Sequence, residues 1–183
     1  MFAAIRAALQ HVLDHWPLRI VHTSIQGNHL HLIVEAETRE ILTKGMQALA
    51  IVAARNINRS AGRTGKVFAF RYHATAIKTP KQMRHTLGYV LNNWRKHGED
   101  RNRVSKLDPY STAIWFDGWK AIGRFTWTKT FEPLPLANPT TFLLTEGWRR
   151  RGLIDPYERP GPRSRSAKPN SRISRRPLGT TSL

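Results

Sequence analysis

Cysteine is missing from the chain, which removes disulfide frameworks and thiolate metal sites together. Any metal must be held by His, Asn, Gln, Asp, Glu or the oxygens of a bound phosphate. Acid is scarce as well: 12 Asp and Glu stand against 30 Lys and Arg, a formal net charge of +18. A field of that size attracts polyanions, and nucleic acid is the leading partner. The sequence has no apolar run of bilayer length and no signal-peptide pattern after Met1, so a membrane is not an expected partner and the cytoplasm is the expected compartment. Internal repeats are also absent. What remains, 183 residues of which 40% are hydrophobic, suits one domain with appendages.

Phe2 to His15 carries Ile5, Leu9, Val12 and Leu13 at helical spacing, and Pro17 ends the pattern, which predicts an amphipathic helix. Leu18 to Gln26 and His29 to Glu35 read as strands of an antiparallel hairpin turned at Gly27-Asn28. Thr38 caps a second helix with Ile41, Leu42, Met46, Leu49 and Val52 as its buried stripe, and Asn56 to Gly65 reads as a basic loop. Val67 to Phe70 and Tyr72 to Ile77 look like short aromatic strands. Thr79-Pro80 opens a third helix that Gly98 closes. Lys106 to Trp119 is irregular and aromatic, and Thr140 to Arg151 reads as one more helix. From Arg159 onward Pro, Ser, Gly and Arg without periodicity predict a disordered basic tail. The expected division is therefore 1–105 for a catalytic domain, 106–158 for an aromatic and basic extension, and 159–183 for the tail.

The chemistry gathers on two stretches. Side chains alternate across a strand, so His29 and His31 share a face while Leu30, Leu32 and Val34 point to the other. Neutral imidazoles placed like that can grip one metal ion, although an H-x-H is also common as a pair of polar strand positions. On the third helix Met83, Leu87, Val90, Leu91 and Trp94 form the apolar stripe. Tyr89 and Asn93 fall on one flank of it, about 40° apart, and Asn92 lies on the side away from the core. Tyr72, Tyr110 and Tyr157 have no ligand-capable partner one turn away. Candidate cations for nucleic acid are Arg55, Arg59, Arg63, Lys66, Arg71, Lys78, Arg95 and Lys96. Where they alternate with aromatics, bases can stack while cations meet phosphates; aromatics as core beside a solvated basic face is an equal reading.

Asn28-His29-Leu30-His31-Leu32 and Tyr89-Val90-Leu91-Asn92-Asn93 resemble the strand and helix motifs of the single-tyrosine HUH transposases, in particular their REP-associated branch. The resemblance runs from about Leu18 to Gly98. It implies an α+β, ferredoxin-like antiparallel sheet with helices packed on it. It implies cleavage and rejoining of single-stranded DNA beside a hairpin, through a 5′-phosphotyrosine. It assigns Tyr89 as nucleophile and His29, His31 and Asn93 as ligands of a divalent metal, for which Mg2+ or Mn2+ suits an amide and a phosphate better than zinc does. A monomer and a homodimer are both compatible with it.

One departure stands out. In that family a strand precedes the first helix, whereas here Met1 begins almost at the helix. Either translation starts upstream or the sheet lacks that strand, and a truncated relic that binds DNA without cutting it is the alternative function. A protein using the same basic and aromatic surface for RNA is a third.

Overall fold

The computed structural model describes residues 1–101, 105–120 and 133–161. Its first helix, α1 (Phe2–His15), has the predicted bounds, with Ile5, Leu9 and Val12 buried in one stripe. Strands β1 (Leu18–Ile25) and β2 (Leu30–Ala36) pair antiparallel, from Leu18 opposite Ala36 to Ile25 opposite Leu30. A register shift between Ile20 and His22 turns β1 part-way along. Helix α2 (Arg39–Ser60) starts where Thr38 accepts a hydrogen bond from the Ile41 amide, as its sequence predicts.

The hairpin separates two cores. On one face Ile20, Ile25 and the β2 residues Leu30, Leu32 and Val34 pack with α1 and α2. On the other, Val21 and Ile33 meet α3 (Pro80–Leu91) and the aromatic C-terminal segment, including Trp119, Trp148 and Ile154. His31 is paired with Ser24 and belongs to this second face, two residues from Ile33. The molecule is therefore α+β, with helices on both sides of an antiparallel pair.

Several expectations are corrected. Asn56 to Ser60 continues α2 and is not a loop, because Ile57 still falls on the buried stripe and Asn56 Nδ2 donates to the Ala4 carbonyl. Val67 to Phe70 and Tyr72 to Ile77 are extended but form no strands: among the described residues the sheet holds β1 and β2 alone. An extended segment becomes a strand only where a ladder receives it. The outer edge of β1 is taken elsewhere, by the Tyr110 carbonyl at Ile25, a bridge from Ser24 to Ser111, and the Ala137 amide at Ile20. Phe70 is left 89% exposed.

The single helix expected from Pro80 to Gly98 is broken. It stops at Leu91, and a short turn of helix, α4 (Asn93–Lys96), follows Asn92. The cause is tertiary: the Asn92 side chain donates to the Asp155 carbonyl while that of Asn93 turns to His29. Asn92 is consequently buried at 1% exposure, contrary to the wheel, because the C-terminal segment covers the face that a helix packed on one side only would leave in water.

The helix expected over Thr140 to Arg151 is likewise two pieces, α5 (Phe142–Thr145) and a 3-10 turn over Gly147–Arg151. They meet where a Cβ on Gly147 would press on the Phe142 ring and carbonyl. Of the expected tail, Arg159 is held by the Arg95 carbonyl and lies 3.6 Å from Asp100; residues 162–183 lie outside the described residues.

Candidate active site

Four side chains from three elements converge. His29 leads into β2, His31 is its second residue, Tyr89 sits in the last turn of α3, and Asn93 opens α4. Alternation along β2 aims His31 at the helix layer. Thr79 fixes the start of α3 by accepting from the Gln82 amide, with Pro80 in its first turn. The burial of Met83, Leu87 and Leu91 then sets the rotation of the helix, which leaves Tyr89 half-buried at the edge of the packed stripe.

The ring centroids of His29 and His31 are 4.7 Å apart, and those of His31 and Tyr89 are 5.1 Å apart. Asn93 is fully buried, and its Nδ2 donates to His29 Nε2 at 2.9 Å. On the opposite side of the His29 ring, Nδ1 donates to Asn28 Oδ1 at 2.6 Å. An amide oxygen can only accept, so that contact places the ring proton on Nδ1 and a lone pair on Nε2, facing Asn93.

Two atoms at the centre have no hydrogen-bond partner: Asn93 Oδ1 and His31 Nε2, both buried. Unpartnered buried polar atoms are costly and rare, and here both belong to groups able to donate a lone pair to a cation. The histidines are held neutral. Burial, then the neighbouring His29, Lys96 and His97 charges, push His31 down to about 4. Burial first, with His97 and Lys96 outweighing Glu99, lowers His29. Among the described residues no group of three or more His, Cys, Asp or Glu is arranged for a metal. A cation at this place needs the Asn93 oxygen as its third protein donor.

Lys96, one of the cations singled out from the sequence, lies at the same site, with Nζ 3.3 Å from the Tyr89 hydroxyl and 4.9 Å from its ring centre. Arg55, Arg59, Arg63 and Lys66 are exposed at the end of α2 and just beyond it. Arg71 lines a cavity of about 510 Å3 with Phe68, Phe70 and Tyr72, between α2, β2 and Asn28-His29. Lys78 is exposed before α3. Arg95 differs: at 6% exposure it donates to the Pro156 and Lys106 carbonyls and pairs with Asp100 at 2.9 Å, and so is engaged in internal contacts.

Two neighbours escape a reading of the sequence. Asn28 reads there as a turn residue, not as the orienting partner of His29. His97, whose ring lies 5.0 Å from that of His29, was also passed over; its position four residues after Asn93, one helical turn on, is the signal that points to it. His22, by contrast, faces Phe116 and Thr112 and stands apart from the pair.

A family model described as IS200-like transposase matches residues 2–93, half of the chain and all four site residues, and the chain belongs to that family. No curated protein and no solved structure matches it. Membership places the chain among DNA-processing enzymes, with DNA as its partner and transposition as its general activity. Among the described residues no helix is long and apolar enough to cross a membrane.

Proposed function

We propose that this protein cuts and rejoins single-stranded DNA at hairpin-flanked sites through a covalent link between Tyr89 and a 5′ phosphate. The observation that carries the reading is the placement of two buried, unpartnered polar atoms, His31 Nε2 and Asn93 Oδ1, on residues that meet His29, with the His31 ring 5.1 Å from that of Tyr89.

His29, His31 and Asn93 fit a divalent cation of the Mg2+ or Mn2+ type, with neutral imidazoles and an oxygen donor. Such an ion, when bound, neutralises charge on the scissile phosphate and polarises phosphorus. The residues do the rest. Asn28 holds His29 in the tautomer that keeps the lone pair on Nε2, on the side of the ring that meets Asn93. The Tyr89 hydroxyl gives up its proton to solvent and its oxygen attacks phosphorus, the bond from phosphorus to the 3′ oxygen breaks, and the leaving strand takes a proton from solvent to end in a 3′ hydroxyl. Lys96, 3.3 Å from the phenol oxygen, stabilises the negative charge that develops there. The phosphotyrosine keeps the phosphodiester energy, so a 3′ hydroxyl rejoins it by the reverse displacement. The exposed cations at the end of α2 and the aromatic segment around Phe70 serve the flanking DNA by charge and stacking. The two sequence motifs support assignment to the REP-associated branch.

The test is incubation of wild type and Tyr89→Phe with labelled single-stranded hairpin DNA and manganese, followed by a denaturing protein gel. A labelled protein band in wild type alone is the expected result. If DNA is bound and neither protein forms the band, the reading fails. The second reading then stands, a DNA-binding protein without catalysis, which the two-stranded sheet among the described residues favours. Binding of RNA in preference to DNA, indifferent to Tyr89→Phe, selects the third.

A further inference from the structure

A cleft of about 1300 Å3 runs along α3 from Lys81 to Tyr89, walled on the far side by Arg151 and by Glu158 to Gly161. Lys81, His85 and Tyr89 are spaced four residues apart, so they form one row along the helix, roughly 12 Å from end to end at 1.5 Å per residue. The volume exceeds the ~300–1,000 Å3 of small-molecule pockets. Spread over that row, it leaves a cross-section on the order of 100 Å2, about that of one α-helix with its side chains. One extended polymer strand fits a cleft of that length and volume.

The lining is strongly basic. Lys81 and Arg151 are exposed on opposite walls, and Arg159 is exposed beside them. The one acid, Glu158, is held by Arg84 through two contacts, at 2.7 and 2.8 Å. Its charge is thereby matched within the floor and is not turned loose against a phosphate.

The wall also stays put. The Arg84 guanidinium reaches the Leu153 carbonyl, Asn92 reaches that of Asp155, and Arg95 that of Pro156. The C-terminal segment is pinned by Arg84 of α3, by Asn92 just beyond it and by Arg95 of α4, so the cleft is pre-formed, with Tyr89 among its lining residues.

We infer that this cleft is the binding track for the single-stranded DNA flanking the scissile phosphate, with Lys81, Arg151 and Arg159 meeting successive phosphates. The inference deepens the proposed function and rests on it. It assigns a DNA contact surface to the C-terminal segment, beyond the residues 2–93 that the family shares.

The test is the affinity of the full chain for a labelled, unstructured oligonucleotide in EDTA, across a salt series. Lys81→Glu with Arg151→Glu is compared with Arg39→Glu with Lys44→Glu, a pair on α2 outside the cleft that changes net charge equally. The cleft pair is expected to weaken binding by about tenfold or more and to reduce the log–log salt slope by roughly 0.7 per lost phosphate contact, the single-strand value. The α2 pair should change the affinity less than about threefold. Equal losses in both pairs overturn the inference, since affinity then follows overall charge. Adduct formation by the same proteins with manganese is scored separately: a wild type that binds through the cleft yet makes no adduct refutes the cleavage reaction and leaves the track standing, whereas an adduct indifferent to the cleft pair refutes the track alone.

Discussion

Asn28 Oδ1 accepts the His29 Nδ1 proton at 2.6 Å, on the side of the ring away from Asn93. The contact selects the tautomer and fixes the ring plane, so the Nε2 lone pair is aimed before any cation arrives. Orienting partners of this kind commonly contribute about 10–100-fold to metal affinity. Asn28 is exposed on a turn, and its loss leaves the core intact. Asn28→Ala is therefore expected to raise the manganese Kd by about that factor, measured by calorimetry, with little change in Tm without metal. Asn93→Ala should abolish the manganese-induced rise in Tm, since it leaves two imidazoles and no oxygen donor. A metal at about 100 times its Kd adds about 2.7 kcal/mol in the wild type, so the loss is readily seen.

Lys96 approaches Tyr89 twice over, by its ammonium at the phenol oxygen and by its position over the ring. In the proposed reaction a cation there favours the phenolate form of Tyr89 that attacks phosphorus. Removing one such stabilising group commonly costs about 10²–10³ in rate. Lys96→Met should slow adduct formation at saturating DNA by about one to two orders of magnitude, with Lys96→Arg recovering part of the rate. An unchanged single-turnover rate in Lys96→Met would assign the residue to DNA affinity alone.

Much of this site was legible without coordinates. The alternation that puts His29 and His31 on one face is a property of any strand, and the turn that brings Tyr89 near Asn93 is a property of any helix. The caps at Thr38 and Thr79 are equally local. What escaped was set by distant parts of the chain. The break at Asn92 and its burial depend on a carbonyl 63 residues away, and helical periodicity cannot announce a second packed face. The aromatic segment around Phe70 has the composition of strands, yet it joins no ladder among the described residues. The C-terminal wall of the Tyr89 cleft gave no sequence signal because its short turns are held by side chains of α3.

A half-buried histidine and a buried aspartate titrate with opposite signs. Burial pushes His22 down to about 4, against a smaller raising effect of Asp117. Between pH 6.5 and 4 the unfolded chain thus binds a proton that the native one refuses, and stability falls with acidification. Burial pushes the Asp108 carboxyl up to about 6, against hydrogen bonds from Tyr110, Gln26 and Ser24. Between about 3.8 and 6 it is the native state that holds the extra proton, so this group favours the fold as pH drops. The two windows overlap and offset each other. Asp108→Asn removes the offset: its urea midpoint should decline more steeply from pH 6.5 to 4 than that of wild type. A parallel decline would show that Asp108 keeps an ordinary carboxylate pKa.

Glu35 ties the C-terminal segment to β2. Its carboxylate accepts from the amides and hydroxyls of Thr140 and Thr141 and pairs with Arg19 at 3.1 Å. Burial alone would push this carboxyl up, but the combined donors hold it at about 2, against an ordinary 4.5. A depressed carboxylate contributes stability that is fully present above pH 4.5 and is lost as pH falls through 2. At 1.36 kcal/mol per unit the contribution is about 3 kcal/mol. Glu35→Gln keeps one oxygen, brings in an NH2 that faces the same donors, and has no charge to titrate. It should be less stable by about 2–3 kcal/mol at pH 7 and approach the wild type near pH 2. The hydrogen-exchange protection of the Thr140 and Thr141 amides should fall first, because those two bonds weaken directly. Equal stability of the two proteins at pH 7 would mean that Arg19 and the threonines gain nothing from the charge.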